Sequence, residues 1–170
     1  VTPASFKTLR LTVSAGESLN PETVIHWKAA TGRDIVEAYG QTEALMLVCN
    51  YPGTPIKPGS MGRPLPGVDA AVLDENRHEV GAGQVGQLAI RLPNPQLMLG
   101  YWRDAEKTAA TFLVDADGNR WSVPGDFARV EDDGRITLLG RGSVSINSGG
   151  EKIFPEEVEQ AIKAHPEVFD

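Results

Sequence analysis

The alternation of apolar runs with polar, glycine and proline positions predicts an α/β unit at the start of the chain. Residues 9–15 (LRLTVSA) are apolar and β-prone, and residues 34–38 form a second short run of this kind. Between the two runs, Asn20 is a suitable N-cap for a helix that starts at Pro21, and Gly32 is placed to end that helix. Ligands of strand–helix–strand units bind at the carboxyl ends of the strands. We therefore expect functional side chains in the two loops that follow these strands.

After residue 52 the pattern changes to short strands separated by turns. Residues 52–67 are rich in proline and glycine and predict a loop. Short apolar segments predict strands at residues 68–73, 85–92, 127–130 and 136–139. One helix is predicted at residues 105–112, capped by Asp104, and a last helix begins at Pro155. The fold class is therefore α/β, with the second part forming either a small β-barrel or a strongly twisted sheet.

Composition narrows the classes of partner. The chain has 170 residues, of which 41% are hydrophobic, so it is long enough for a domain with a core. Its net charge is −7 and it has no basic run, which argues against nucleic acid as a partner. Cys49 is the single cysteine and the three histidines lack ligand spacing, so neither an internal disulfide nor a metal cluster is expected. No apolar stretch approaches the ~20 residues of a membrane span and no signal peptide is visible, so we expect a cytoplasmic protein.

Residues 39–43 (YGQTE) combine an aromatic ring, a glycine, a hydroxyl and a carboxylate. An aromatic ring stacks on a nucleobase or packs in a core, and a hydroxyl donates to a phosphate oxygen. A carboxylate close to a phosphate needs a cation between them, and Mg²⁺ bound by one carboxylate and phosphate oxygens is a common arrangement. The alternative is a polar turn in which Thr42 and Glu43 are simply exposed. The residues alone leave both interpretations open.

Three segments in a particular order resemble a known family. Residues 39–43 are followed by Gly125 and Asp126, and then by residues 140–159 (GRGSVSINSGGEKIFPEEVE). This order resembles the adenylate-forming enzymes, the superfamily of acyl-CoA synthetases, firefly luciferase and nonribosomal-peptide adenylation domains. The part NSGGEKIFPEEVE is more similar to AMP-forming acyl-CoA synthetases than to adenylation domains. Residues 100–112 (GYWRDAEKTAATF) also resemble a family signature, in which we expect the aromatic residues to have structural roles only.

The resemblance implies a nucleotide site at residues 39–43. In the family this pattern places the aromatic residue against adenine, the threonine on the α-phosphate and the glutamate on Mg²⁺. Tyr39, Thr42 and Glu43 match these three positions, so Thr42 and Glu43 are the expected catalytic residues and Glu43 the expected metal ligand. Gly40 and Gln41 complete the nucleotide-binding segment.

A second loop with a weaker resemblance lies upstream. Residues 14–19 (SAGESL) resemble the family's loop beside adenine and ribose, which implies cofactor-binding roles for Gly16, Glu17 and Ser18. A plain strand-to-helix turn is the alternative, and Gly16 alone would explain it. Residues 44–46 (ALM) follow the catalytic pair where the family often lines its acyl pocket, and ordinary core positions are an equally good interpretation.

Further cofactor-binding positions follow from the resemblance in the second half of the chain. A carboxylate is a good two-point acceptor for the vicinal hydroxyls of ribose, and the resemblance gives Asp126 this role with Arg141 assisting. The glycines Gly149 and Gly150 match the loop that lines the tunnel for the pantetheine arm of CoA. Lys152 would point toward CoA or a nucleotide phosphate, and a solvated lysine is the alternative.

The resemblance also implies a division of the chain. Residues 1–60 correspond to the C-terminal part of the family's large α/β domain, and residues 61–140 to a β-barrel-like subdomain. Residues 141–170 correspond to the hinge and the beginning of an α+β C-terminal domain, with the hinge position at Ser143.

The implied enzyme activates a fatty or related carboxylic acid with ATP and Mg²⁺ and transfers it to CoA. The family's phosphate-binding loop and its catalytic lysine have no counterpart in the sequence, so we expect the chain to be inactive in isolation. We also expect it to need the other half of the large domain, or self-association, to cover its exposed sheet. The alternatives are an adenylation domain with a carrier-protein acceptor and a non-catalytic module that binds a nucleotide or a partner.

Overall fold

The first part of the protein is the α/β unit that the sequence predicts. The structure is a computed structural model that describes residues 6–149, 151–163, 165, 167 and 168. Strands β1 (Thr12–Ala15) and β2 (Ile35–Gln41) pair in parallel and are joined by helix α1 (Pro21–Thr31). This arrangement confirms the predicted unit, and it brings the ends of β1 and β2 to the same edge of the sheet.

Helix α1 begins and ends at the predicted residues. The Asn20 side chain accepts a hydrogen bond from the Glu22 amide at 2.9 Å, and Pro21 occupies the first turn. At the other end Gly32 has φ 69°, and its amide donates to the Lys28 carbonyl at 2.8 Å. Both helix ends are thus satisfied by local hydrogen bonds.

A hairpin completes the first sheet and contains the segment YGQTE. The sheet has the order β1-β2-β3-β4, with β3 (Leu45–Cys49) and β4 (Arg63–Pro64) both antiparallel to their neighbours. The sequence predicts residues 39–43 as a loop, but residues 39–41 end β2 and only residues 42–44 form the turn. Gly40 is required because a Cβ there would lie 1.9 Å from the carbonyl oxygen of Leu45. The close hairpin therefore replaces the predicted loop.

The second sheet is antiparallel. It consists of β5 (Ala70–Leu73), β6 (Val85–Arg91), β7 (Phe112–Val114), β8 (Arg120–Ser122), β9 (Asp126–Val130) and β10 (Ile136–Arg141). Its order is β10-β9-β6-β8-β7, with β5 also paired to β6. The four predicted strands are confirmed as β5, β6, β9 and β10, whereas β7 and β8 were not predicted. No ladder joins β10 to β7 in the part of the chain that the structure describes, so the two ends form an open sheet and not a closed barrel.

Helices and a small hairpin accompany this sheet. Helix α2 (Ala105–Thr111) precedes β7 and begins at the predicted cap, where Asp104 accepts from the Lys107 amide at 2.9 Å. After β10 come a 3₁₀ turn (Gly142–Val144), strands β11 (Ile146–Ser148) and β12 (Glu151–Ile153), and helix α3 (Pro155–Lys163). The predicted start of the last helix at Pro155 is confirmed. We call residues 142–168 the C-terminal segment.

One hydrophobic core joins the two sheets. It contains Tyr39, Ala44, Leu47, Val48, Met61, Val72, Leu88, Ile90, Ala128 and Ile136. Backbone bonds reinforce the contact, because the Met61 amide donates to the Ile136 carbonyl at 2.9 Å and the Ile136 amide donates to the Gly62 carbonyl at 2.8 Å. The first sheet is thus fixed against β10, which carries Arg141 at its end. Among the described residues, no helix is long and apolar enough to span a membrane.

Candidate functional site

An open cleft of about 1520 Å³ lies at the carboxyl ends of β1 and β2. Its wall combines the loop after β1, the end of β2 with its hairpin turn, the ends of β9 and β10 that carry Asp126 and Arg141, and one edge of α3. The predicted site residues that line it are Gly16, Glu17, Ser18, Tyr39, Gly40, Gln41, Thr42, Glu43, Asp126 and Arg141. The fold therefore brings together predicted positions that are far apart in the sequence.

Of the predicted CoA-side residues, the two that the structure describes, Gly149 and Lys152, do not line this cleft. Gly149 is exposed in the turn between β11 and β12, with φ 60°. Lys152 lies with its Nζ 4.4 Å from the centre of the Phe127 ring and 4.0 Å from a carboxylate oxygen of Glu75. Gly150 lies outside the described residues. The predicted hinge residue Ser143 is exposed in the 3₁₀ turn that follows Arg141.

A buried polar network stands at the centre of the cleft. Asp126 is 5% exposed and Tyr39 is 8% exposed. The Tyr39 hydroxyl donates to Asp126 Oδ2 at 2.5 Å, and Gln41 Nε2 donates both to the Tyr39 oxygen, at 2.7 Å, and to Asp126 Oδ2. Burial, together with the negative charge of Asp126, raises the pKa of the Tyr39 phenol far above its ordinary value, so the phenol keeps its proton. A fixed donor therefore orients the Asp126 carboxylate.

Two groups of this network, the Arg141 side chain and Gln41 Oε1, are relevant to ligand binding. Arg141 Nε lies 3.4 Å from Asp126 Oδ1, and its side chain is 65% exposed, so the charge pair reaches from the core to the cleft. Gln41 Oε1 is buried and has no hydrogen-bond partner within the described parts of the chain. A buried acceptor without a donor costs free energy unless a ligand or water supplies one. Gln41 Oε1 is thus an acceptor for which the described residues supply no donor.

Glu43 is held by a residue to which the sequence assigned no role in the site. The Tyr101 hydroxyl donates to Glu43 Oε1 at 2.8 Å, and the Glu43 carbonyl accepts from the Met98 amide at 2.8 Å. Burial and the Glu43 carboxylate raise the pKa of Tyr101, which favours the donating form. Thr42, at the tip of the turn, is exposed. Tyr101 therefore positions the carboxylate, in addition to the structural role predicted for it.

Residues 44–46 divide between the two roles that the sequence left open. Ala44 is fully buried in the shared core. Leu45 and Met46 are 65% and 41% exposed and line the cleft. Leu45 has φ 49°, a left-handed conformation that is unfavourable for a non-glycine residue and is typical of constrained sites. The cleft thus has an apolar wall beside its polar centre.

Glu37 is a site residue that the sequence analysis missed. It is 7% exposed, lines the cleft, and accepts a hydrogen bond from the Leu19 amide at 3.0 Å. Burial raises its pKa to about 7, and the Leu19 hydrogen bond opposes this only in part. The hydrogen bond between the Leu19 amide and the Glu37 side chain connects the loop after β1 to strand β2. The available signal was a single carboxylate inside the apolar run IVEAY.

The charges around the cleft favour binding of an anion only together with a cation. Six carboxylates line it: Glu17, Glu37, Glu43, Asp126, Glu156 and Glu159. The basic residues in the described lining are Arg141 and Lys163. No group of three or more metal-ligating side chains occurs among the described residues, so the chain offers single carboxylates and not a metal cage. Mg²⁺ is commonly bound by one or two carboxylates and substrate phosphates, and Glu43 fits this mode.

Comparison with known proteins identifies the family. Residues 2–102, which are more than half of the chain, match the AMP-binding enzyme family. This protein therefore belongs to that family. The whole chain is 40% identical over 173 aligned residues to the mitochondrial acyl-coenzyme A synthetase ACSM3 of Rattus norvegicus, and it covers 29% of that relative. The chain thus spans less than a third of the length of this relative.

Two further relatives agree with this assignment. A 3-oxocholest-4-en-26-oate–CoA ligase of Rhodococcus rhodochrous is 59% identical over 101 residues, covering 58% of this chain and 18% of the ligase. The crystal structure of ATP-bound MatB from Rhodopseudomonas palustris superimposes with a TM-score of 0.89 at 34% identity, covering 99% of this chain and 32% of MatB. The fold described above is therefore part of the fold of a known adenylate-forming enzyme.

Proposed function

We propose that this chain is the nucleotide-binding part of an ATP-dependent, AMP-forming acid–thiol ligase, an acyl-CoA synthetase. The observation that carries the proposal is the convergence of ten predicted site residues on one cleft. These residues come from distant segments, since the bond between Tyr39 and Asp126 joins positions 87 residues apart. Membership of the AMP-binding family and the likeness to an ATP-bound structure support it.

The nucleoside is assigned to the buried network. A carboxylate accepts hydrogen bonds from both hydroxyls of a ribose, and Asp126 is already oriented by Tyr39 and paired with Arg141. Gln41 Oε1 provides a further acceptor that has no partner in the described residues. Tyr39 and residues 16–18 also line the cleft, and adenine is proposed to lie beside them.

The phosphates are assigned to the hairpin turn. Thr42 is exposed there, and its hydroxyl would donate to the α-phosphate. Glu43, oriented by Tyr101, would hold Mg²⁺, which supplies positive charge to the phosphate oxygens. The excess of carboxylates in the cleft makes such a cation necessary, because a polyanion would otherwise be repelled.

The proposed reaction has two steps. The substrate carboxylate attacks the α-phosphorus of ATP, so that an acyl–phosphate bond forms while the bond to pyrophosphate breaks. The CoA thiol then loses its proton and attacks the acyl carbonyl, and AMP leaves. The chain contributes positioning and charge neutralisation. Because the described lining offers two basic residues, Arg141 and Lys163, to stabilise the charge of the transition state, we expect no sustained turnover by the isolated chain.

The acid substrate is proposed to be a fatty or related carboxylic acid. The names of the relatives support this class, since one is an acyl-CoA synthetase and the other a CoA ligase of a steroid acid. Leu45 and Met46, exposed in the cleft, would contact the apolar part of the acid next to its carboxylate. We further propose that the protein acts in the cytoplasm.

The exposed apolar residues around β1 and on α1 are proposed to need a cover. Leu11, Val13 and Ile25 are 46%, 50% and 51% exposed. Strand β1 pairs only with β2 among the described strands. An apolar surface beside an unpaired strand favours association. We propose that the remainder of the large domain covers it, or that the isolated chain self-associates.

The nucleoside assignment is tested by titrating the chain with AMP in a calorimeter. Asp126→Asn should weaken AMP binding at least tenfold, because the amide accepts from one ribose hydroxyl where the carboxylate accepts from two. Asp132→Asn, at an exposed turn, is the matched control and should bind as the original chain does. Equal affinity of all three proteins would contradict the assignment.

A second candidate function is a non-catalytic nucleotide-binding module, favoured by the small number of basic residues in the described lining of the cleft, where Arg141 and Lys163 are the residues that could stabilise charge developing in a transition state. AMP binding by a full-length protein that shows no pyrophosphate exchange would support it. If exchange occurs, supplying CoA or a carrier protein as acceptor separates an acyl-CoA synthetase from an adenylation domain.

A further inference from the structure

The Phe127 side chain connects the C-terminal segment to the strand that carries Asp126. Phe127 is the next residue along β9, and its ring lies 5.4 Å from the Phe154 ring at an interplanar angle of 40°. Lys152 Nζ lies 4.4 Å from the same ring centre. The backbone of Gly142 also packs on it, since a Cβ at position 142 would lie 2.6 Å from Phe127 Cε2. Three parts of the segment therefore meet at one aromatic ring.

Little else holds the C-terminal segment by burial. Of the residues after position 142 whose burial the structure describes, only Phe154, at 2% exposure, is buried. Val144, Ile146, Val158 and Ile162 are 53%, 56%, 43% and 52% exposed. A buried aromatic residue in contact with a second ring is a large share of the contact energy of such a small segment.

A second contact accompanies the aromatic pair. The Glu156 carboxylate packs against Gly140, where a Cβ would lie 2.2 Å from Glu156 Oε2. This places α3 along the cleft, which Glu156, Glu159, Gln160 and Lys163 line. The same arrangement keeps Gly149 and Lys152 out of the lining. The docked segment therefore closes one side of the nucleotide cleft and holds Gly149 and Lys152 away from it.

We propose that Phe127 is a positioning residue that docks the C-terminal segment through Phe154 and Lys152 and couples this docking to nucleotide binding. The coupling path is short, because Arg141 pairs with Asp126 and is followed directly by Gly142, which packs on the Phe127 ring. A ligand that engages Asp126 and Arg141 thereby stabilises the docked state. By reciprocity, docking strengthens the binding of that ligand by the same factor.

The coupling to a nucleotide rests on the proposed function, because the ligand that would engage Asp126 and Arg141 is proposed to be a nucleotide.

The test is the rate of limited trypsin cleavage after Lys152 in the 170-residue chain, with and without saturating AMP. Cleavage reports the population of the undocked segment when opening is fast relative to cleavage. Phe127→Leu keeps an apolar side chain and removes the ring, and we expect cleavage at least tenfold faster. Phe127→Tyr keeps the ring and should restore the slow rate. Phe112→Leu, on β7 of the same sheet, is the matched control and should leave the rate unchanged.

AMP should slow cleavage of the original chain and of Phe127→Tyr, and have at most a weak effect on Phe127→Leu. Thermal unfolding of each variant separates local undocking from a general loss of stability. If Phe127→Leu does not fold, Phe154→Leu removes the ring contact from the other side. The proposal would be overturned if Phe127→Leu and Phe154→Leu were cleaved at the original rate. It would also be overturned if their cleavage rates rose only in proportion to the fraction of globally unfolded protein. Absence of AMP binding to the original chain would contradict the proposed function and leave the docking result interpretable through the rates without AMP.

Discussion

The nucleotide side of the cleft and the C-terminal segment are built in opposite ways. The nucleotide side rests on two sheets with a shared core, and its central carboxylate, Asp126, is buried and hydrogen-bonded. The C-terminal segment has a single buried side chain in the part whose burial is described, Phe154, and its other apolar residues are largely exposed. One region is held in a fixed geometry by a core, and the other is attached by a few contacts around one buried side chain.

This difference suits the proposed reaction. Charge stabilisation requires groups that are oriented before the substrate arrives, which a packed core provides. A segment that docks and undocks requires contacts that break at small cost, which one buried aromatic residue and a few surface contacts provide. Substitutions that distinguish the two regions are therefore the most informative.

The largest effect is expected at Glu43. In a full-length ligase that carries this sequence, Glu43→Ala should lower ATP–pyrophosphate exchange at least about 100-fold, because the loss of a metal ligand removes several kcal/mol of charge stabilisation. Tyr101→Phe keeps the carboxylate and removes only its hydrogen bond, so a loss of about tenfold is expected. Near-normal exchange by Glu43→Ala would contradict the Mg²⁺ assignment.

Glycine substitutions compare the stability of the two regions directly. At Gly62, φ is 97° and a Cβ would lie 2.1 Å from the Cys49 carbonyl oxygen, so Gly62→Ala should lower the free energy of unfolding by about 3 kcal/mol. At Gly149, φ is 60° and a Cβ would meet nothing within 4 Å, so Gly149→Ala should cost about 1 kcal/mol. Urea denaturation measures both, and equal losses would show that the hairpin turn is as constrained as the core.

The distance along the chain between interacting residues explains which features the sequence predicts. Local signals decide the ends of α1 and α3, because Asn20, Gly32 and Pro155 act within one turn of the chain. The family motifs predict ten of the residues that line the cleft, but they miss Glu37, and the predicted Gly149 and Lys152 do not line it. They do not predict that residues 39–41 lie in a strand, because this depends on the close approach of Gly40 to Leu45 across the hairpin. Tyr101 and Glu37 were missed for a similar reason, since their partners Glu43 and Leu19 are 58 and 18 residues away in the sequence.

The buried carboxyl group of Glu37, on the nucleotide side of the cleft, predicts that the free energy of unfolding depends on pH. Burial raises its pKa from 4.5 to about 7, so between these values the folded state holds a proton that the unfolded state has released. The stability that Glu37 contributes is therefore fully present below pH 4.5 and is lost as the pH rises to 7, by at most roughly 3 kcal/mol. Glu37→Gln should accept from the Leu19 amide and remove this dependence. The measurement is the free energy of unfolding of both proteins from pH 4.5 to 8, and parallel curves would contradict the expectation.

The smallest effect is expected on the exposed face of α3. Ile162 is 52% exposed and no residue of α3 is buried in the described part of the helix, so Ile162→Ser should change the free energy of unfolding by no more than about 0.5 kcal/mol. Leu88, which is 1% exposed in the shared core, is the contrasting position, and Leu88→Ala should cost about 2 to 5 kcal/mol. Thermal and urea unfolding of the two variants test the contrast. A loss above 1 kcal/mol for Ile162→Ser would mean that the face is covered in solution by another copy of the chain, and it would then depend on protein concentration.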